Sequence, residues 1–384
     1  MRVVDLAGGV TQAGRAALGA AVSWPRPALA LGQALGLALV CGLALVCGLA
    51  GAARAQDFDI EEHRFYPGTG DAVLRVISTA DLDVFEPFLL RFQAANPAVG
   101  IDYITASSAE LHRAIRGGAV FDLALSSAMD LQFTLTNDGL ARSYRSAVTD
   151  SLPDWARWRD QLFAFTAEPA VAVINAALFE GLPLPRTRAE LVTLLRDNPE
   201  RFAGRLGTYD LHESGLGYLF ATQEARASDA FWRLTEVMGR LDTRLYCCSA
   251  QMIDDVASGD LALAYNVLGS YAAQRLGRDD GLSVLVLEDF ANVMLRTALI
   301  PATAVEVVAA GLMLDALLRE GMGAGAEPVL PPLRAGRAAQ QLARGEADGS
   351  PFGPIRLGPA LMVYLDAMNR ESFLEAWDAA ILQR

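Results

Sequence analysis

The polar side chains best suited to hold a ligand recur at one kind of place, directly after an apolar run. Ser78-Thr79 follow "AVLRVI", Thr105-Ala106-Ser107-Ser108 close "VGIDYI", and Ser126-Ser127 follow "VFDLAL". Further on, Tyr209-Asp210 follow "RLGT", and Ser214-Gly215-Leu216-Gly217 opens another apolar segment. The stretch "GDLALAYNVLGSYAAQRLG" passes from alternating Leu261, Leu263 and Tyr265 into Asn266, Gly269, Ser270 and Tyr271. Hydroxyls and free backbone N–H groups at helix starts can hold an oxyanion without a fixed positive charge. Any one of these serines also reads as a plain helix cap, so the weight lies in the recurrence. Arg296, in "NVMLRTA", is placed to add a positive charge or to form a surface ion pair. Tyr265 continues the alternating pattern and reads equally as a core residue.

Catalytic patterns are missing. There is no G-x-S-x-G elbow, Walker loop or H-E-x-x-H motif, and Ser214-Gly215-Leu216-Gly217 lacks the first glycine of a dinucleotide fingerprint. Asp254-Asp255 and Glu61-Glu62 are adjacent pairs, whose side chains diverge. His63, His112 and His212 are scattered, and no Cys/His spacing resembles a zinc site. A non-catalytic protein with no metal and no cofactor is expected.

The chain has 384 residues, 52% of them hydrophobic and 20% charged, which suits folded domains rather than disorder. A formal net charge of -13 leaves no broad basic footprint for nucleic acid. Residues 1–55 differ in kind. Arg2, Arg15 and Arg26 precede an apolar stretch, and Ala53-Arg54-Ala55 forms a small-x-small site before Gln56. That order describes a secretory signal peptide cleaved near Ala55, with a retained membrane anchor as the alternative. Periplasmic localisation follows. Two cysteines remain beyond it, adjacent at Cys247-Cys248, open to a vicinal disulfide or to two thiols in a strand.

The elements that must position the hydroxyls alternate. Residues 56–71 read as a polar leader. Strands are expected at 72–78, within "VGIDYITA" and within "VFDLALSS", each followed by a helix. Phe85, Phe88, Leu89 and Phe92 fall at helical spacing, and Asp83 with Glu86 has capping-box spacing, as do Ser107 and Glu110. Such alternation argues a parallel sheet with helices on its faces. A second set of elements lies between two long apolar segments, 162–179 and 282–301, which read as crossings from one lobe to the other. Lobe 1 is expected over 72–165 and 298–384, and lobe 2 over 166–297. In open α/β sheets ligands lie beyond the carboxyl ends of the strands, so the hydroxyls would face a cleft between the lobes.

Taken in order, "VISTAD", "FDLALSSAMDLQ", "RFAGRLGTYDLHESGLGY" and "SGDLALAYNVLGSY" resemble periplasmic solute-binding proteins of ABC importers, in the branch that includes the ferric-ion binders. The resemblance covers about residues 72–384. It implies two α/β lobes joined by two β crossovers with a ligand cleft between them, the type II periplasmic binding protein fold. Ferric members hold iron through two adjacent tyrosines after a strand matching "GDLALA". Here Tyr265 and Tyr271 stand apart, with Gly269-Ser270 between them. Other relatives take phosphorylated solutes, and the phosphoglycerate type signals to a membrane histidine kinase. The resemblance thus implies a monomer that captures a small anionic solute, phosphorylated or carboxylated, for an ABC permease. Contacts would come from Ser78, Thr79, Ser126 and Ser127 on one lobe, and from Ser214, Gly215, Asn266, Ser270 and Tyr271 on the other. A sensing role beside a histidine kinase, or ferric binding completed by exogenous anions, are the alternatives.

Overall fold

The computed structural model describes residues 58–276, 281–285, 287–323, 330–331 and 354–383. The signal-peptide reading falls on residues 1–55 and lies outside them. The chain begins with β1 (Glu62–Tyr66), β2 (Val73–Ser78), α1 (Leu82–Ala95), β3 (Gly100–Thr105), α2 (Ser108–Arg116), β4 (Leu123–Ser126) and α3 (Met129–Asn137). It continues through β5 (Arg157–Trp158), β6 (Leu162–Asn175), α4 (Arg188–Asp197), β7 (Leu206–Tyr209), α5 (Gly215–Ala227), α6 (Ala230–Arg240) and β8 (Arg244–Tyr246). It ends with α7 (Ser249–Ser258), β9 (Leu263–Leu268), α8 (Gly269–Leu276), β10 (Leu282–Leu285), β11 (Val293–Leu299), α9 (Val307–Gly321) and α10 (Ala367–Ile381). Among the described residues no helix is long and apolar enough to cross a membrane.

The strand order is β1-β3-β2-β4-β11-β6-β9-β7-β8. Strand β2 pairs in parallel with β3 and β4, and β7 does the same with β8 and β9. Each parallel set is the core of one α/β lobe. Strand β6 joins them. Its residues Phe163 to Pro169 pair with β11, and Ala170 to Asn175 pair with β9 and β10. Nearly all of its side chains are buried, which is why it reads as one continuous apolar run. The return crossing runs from β10 in the second lobe to β11 in the first. Two α/β lobes with mixed pairing and crossover strands are therefore the architecture.

Three expectations change. The segment 56–71 is not merely a leader, because Glu62–Tyr66 pairs antiparallel with β3 at the sheet edge. Only Tyr66 of this strand is buried, so it carries no apolar alternation to find. The start of α1 has no Asp83–Glu86 capping box. Its N-cap is Asp81, which makes no side-chain cap, and the Leu82 N–H is bound by the Glu62 carboxylate from β1 at 2.9 Å. At α2 the expected cap is present, with Ser107 Oγ accepting from the Glu110 N–H at 3.2 Å. Finally, the closing helix packs on the second lobe, although 298–384 had been grouped with the first. Phe373 lies against Tyr218, Phe231 and Trp232. At Gly239 of α6 a Cβ would stand 2.3 Å from the Ala380 carbonyl oxygen of α10, so the two helices meet backbone to backbone. Helix α9 does return to the first lobe, where Gly321 abuts the backbone of Phe165.

Candidate functional site

The strand ends of both lobes meet at a cavity of about 60 Å³. On the first-lobe wall, Thr79 and Ser127 stand one residue beyond β2 and β4. Their hydroxyls are 3.2 Å apart, and the Ser127 N–H donates to Thr79 Oγ1 at 3.0 Å. Ser107, Ser108, Asp81 and Glu61 complete this wall. Ser78 and Ser126, the last residues of the strands, do not reach it. Each is at most 1% exposed, and each hydroxyl accepts from the backbone N–H two residues on, Ala80 at 3.0 Å and Ala128 at 3.1 Å. Successive residues of an extended chain face opposite ways, so the second member of each pair enters the cavity while the first closes its own turn.

The second-lobe wall holds Ser214, Glu213, Tyr271, Tyr209 and Ser249, with Cys247 and Cys248. Ser214 caps α5 by accepting from the Gly217 N–H at 3.1 Å. Tyr209 Oη and Ser249 Oγ are hydrogen bonded at 2.5 Å. Cys247 and Cys248 are bonded to one another as a disulfide, rather than standing as thiols within a strand, and follow β8. Hydrogen bonds cross between the lobes at this cavity. The Gly215 N–H donates to Ser108 Oγ at 3.0 Å, and the Asp81 N–H donates to Tyr271 Oη at 3.3 Å. Gly215 is thus a point of contact between lobes. A Cβ there would stand 2.6 Å from Ser108 Oγ and 2.9 Å from Leu131 Cδ1.

The remaining expected contacts lie behind this cavity in two ion-pair networks. Strand β9 runs through Asn266 to Leu268, so Asn266 lies in the strand and not in a turn. It occupies the left-handed region with φ 64°, where β9 carries one extra residue opposite β6. Asparagine tolerates that conformation better than most residues. Its Nδ2 donates to Glu224 Oε2 at 3.0 Å, and Tyr265 Oη donates to Glu224 Oε1 at 2.8 Å. Glu224 also accepts from Arg188 Nε at 2.8 Å and from its Nη2. Arg188 Nη1 donates to Asp289 at 2.8 Å and to the Phe290 carbonyl at 2.9 Å. Arg188 and Glu224 were not singled out from sequence, since each is one polar residue on an ordinary helix with its partner far along the chain.

The second network lies beneath Tyr271. Ser270 Oγ donates to Glu168, as does Thr166 Oγ1 at 2.7 Å, and Arg296 Nε donates to Glu168 Oε1 at 3.1 Å. Arg296 is therefore a buried ion-pair member and not a surface one; its side chain is 5% exposed. Its Nη1 is buried with no partner. Burial works to raise the Glu168 carboxyl, but Arg296 and the two hydroxyls outweigh it and hold it below the usual carboxylate range. At the cavity itself, burial and then Asp83 push Asp81 up, against the pull of Arg296. Glu61, at the rim with much of its side chain exposed, is raised by partial burial, then by Asp81 and Glu62. Burial also drives the Tyr271 phenol well above its ordinary value.

The two tyrosines that could have approached a ferric ion are thus committed to different partners. Among the described residues no group of three or more His, Cys, Asp or Glu is arranged to hold a metal ion. What the cavity offers is a ring of hydroxyls and helix N-termini from two lobes, fit for gripping and releasing a polar solute.

Two α/β lobes with a cavity at the strand ends and two crossing strands make up the type II periplasmic binding protein fold. No protein-family model and no curated protein sequence matches the chain. Among solved structures, the substrate-binding protein of an ABC transporter from Agrobacterium tumefaciens matches with a TM-score of 0.77 and 29% identity, over 85% of this chain and 100% of that one. The apo ferric ion-binding protein A of Pasteurella haemolytica matches with a TM-score of 0.61 and 16% identity, over 82% of this chain and 99% of that one. The periplasmic binding protein AfuA of Actinobacillus pleuropneumoniae, solved with exogenous fructose-6-phosphate, gives 0.62 and 15%, over 81% and 99%. The last two show the fold alone. The chain thus has the type II periplasmic binding protein fold and is similar over nearly its whole described length to a substrate-binding protein of an ABC transporter. That fold is one of non-catalytic periplasmic binding proteins.

Proposed function

We propose that the chain works in the periplasm, where it captures a small anionic solute, phosphorylated or carboxylated, in the cleft between its lobes and presents it to an ABC permease. The observation that carries this reading is the make-up of the cavity. Thr79, Ser107, Ser108, Ser127, Ser214 and Tyr271 place hydroxyls on its two walls, and a guanidinium one partner short lies buried behind Tyr271. A serine hydroxyl that accepts a backbone N–H keeps its own proton to donate. Closure by a hinge at the two crossings would bring both walls onto one oxyanion. The raised Asp81 and Glu61 carboxyls fit this if they take up protons as the anion arrives, so affinity would fall as pH rises. Delivery to a permease is favoured over docking on a histidine kinase because the Agrobacterium protein is described as the substrate-binding protein of an ABC transporter.

Thermal-shift screening of the chain against phosphomonoesters, phosphonates, dicarboxylates and Fe(III) tests the reading, since a ligand that binds the native state raises its melting temperature. Phosphorylated or carboxylated compounds are expected to raise it. A shift with Fe(III) and with none of the organic anions would overturn the proposal. Residues 1–55 are proposed to be removed on export. N-terminal sequencing of the exported chain should begin at Gln56, and a start at Met1 would show a retained anchor.

A further inference from the structure

The inner cavity is small for a solute. Its 60 Å³ is far below the roughly 300–1,000 Å³ that small-molecule sites usually span. A groove of about 590 Å³ opens on the other side of the Ser108–Gly215 contact. Glu213 lines both spaces, and the hydrogen-bonded Ser108 and Gly215 line one each, so the two spaces adjoin. Helices α2 and α3 wall the groove from the first lobe, α5 from the second, and the start of α10 closes it. Asp130 on its wall is 2% exposed, and burial pushes its carboxyl up to about 7. Its Oδ1 accepts the Leu131 N–H at 2.9 Å. Arg370 lines the same groove, near enough for its charge to pull against that rise, with its guanidinium 5.3 Å from the centre of the Tyr218 ring. Among the described residues Arg370 is in no salt bridge, whereas Arg113 and Arg116 at the rim are held by Glu110 and Asp138. The groove therefore presents one uncommitted guanidinium stacked on an aromatic face beside a buried acid.

Resting on the anionic-solute reading above, we propose that the solute is longer than the inner cavity and carries a second acidic group, received in the outer groove by Arg370 and Asp130. One end lies among the hydroxyls of Thr79, Ser127 and Ser214. The chain of the molecule passes the Ser108–Gly215 contact as the lobes part and close again. The far acid meets the Arg370 guanidinium, and Asp130 in its protonated form donates to it. Because the groove is built from both lobes, this second contact exists only in the closed form and adds to closure. Sequence pointed only to the strand ends, and none of these residues follows a strand closely enough to be noticed there.

Calorimetric titration with matched pairs tests this. One pair is butylphosphonate and 4-phosphonobutyrate, and the other is pentanoate and glutarate. Within each pair the second acid is the difference. The wild-type chain is expected to favour the doubly acidic member of at least one pair about tenfold or more. Arg370→Gln should reduce that preference to about twofold or less, leaving affinity for the singly acidic member and the melting temperature nearly unchanged. If both members of each pair bind equally, or if the preference survives Arg370→Gln, the extended site is wrong while the anionic reading stands. If no member of either pair binds, both fall together.

Discussion

Among the described residues two arginines lie buried, each against a buried glutamate, and they are in different conditions. Arg188, inside the second lobe, has Nε and Nη2 on Glu224 and Nη1 on Asp289 and Phe290. Its guanidinium also lies 3.5 Å from the centre of the Phe290 ring. Arg296, on the strand that returns to the first lobe, has Nε on Glu168 and a buried Nη1 with nothing. A buried guanidinium with all three nitrogens partnered belongs to the scaffold. One left a partner short, beneath the wall of a cleft, is where a ligand or water has something to offer. The stretch from Tyr265 to Ser270 serves both, since Tyr265 and Asn266 bind Glu224 while Ser270 binds Glu168.

The largest effect should come from the satisfied pair. Glu224→Ala leaves Arg188 charged and buried, and breaking such a pair by removing one partner costs about 3–5 kcal/mol. Urea denaturation should show a loss of that order, with solute affinity of the folded protein little changed. A loss below about 1 kcal/mol would erase the contrast between the two sites. Arg296→Lys is the converse. Lysine keeps a charge toward Glu168 but loses the planar fork and the spare Nη1. Affinity is expected to fall about tenfold, near 1.4 kcal/mol, with a smaller change in stability. An unchanged dissociation constant would make Arg296 a scaffold residue like Arg188.

Acid titration separates the two glutamates further. Glu168 has its folded pKa depressed below the ordinary 4.5, so its contribution to stability is present above that value and is lost as pH falls through the folded pKa. Glu168→Gln should therefore flatten the pH dependence of unfolding below about pH 4.5. An acid limb as steep as in the wild type would show that the pair does not carry it. Gly215→Ala asks whether the lobes must meet. With a Cβ 2.6 Å from Ser108 Oγ, closure is impeded, and affinity should drop a few fold with little loss of stability. Equal affinity would mean the solute is held without that contact. Ser214→Ala removes both the α5 cap, at about 1 kcal/mol, and a hydroxyl of the cleft wall, so a slightly lowered melting temperature is expected together with a weaker affinity; a lowered melting temperature with unchanged affinity would make Ser214 a cap alone.

The elements themselves were largely legible. Apolar runs of strand length, helical spacing in "FEPFLLRF" and the 14-residue β6 are local patterns, and burial of one face or of both writes them directly into the residue order. The edge strand Glu62–Tyr66 was not legible, because exposure on both faces leaves no pattern. The hydroxyls after the strands were visible as a set. Which of each pair faces the cavity was not, because that depends on the turn each one closes.

The order of residues alone therefore determined two α/β lobes, two crossings and a cleft at strand ends rich in hydroxyls. Those follow from periodicity and chain direction, which need no distant partner. Only the tertiary structure decided that Tyr265, Asn266 and Ser270 turn away from the cleft, and that Arg188 and Glu224 meet. It also decided that the ends of α5 and α10 and the flanks of α2 and α3 enclose a groove. Each of these is a meeting of residues tens to hundreds of positions apart, and no local pattern of apolar and polar residues records it.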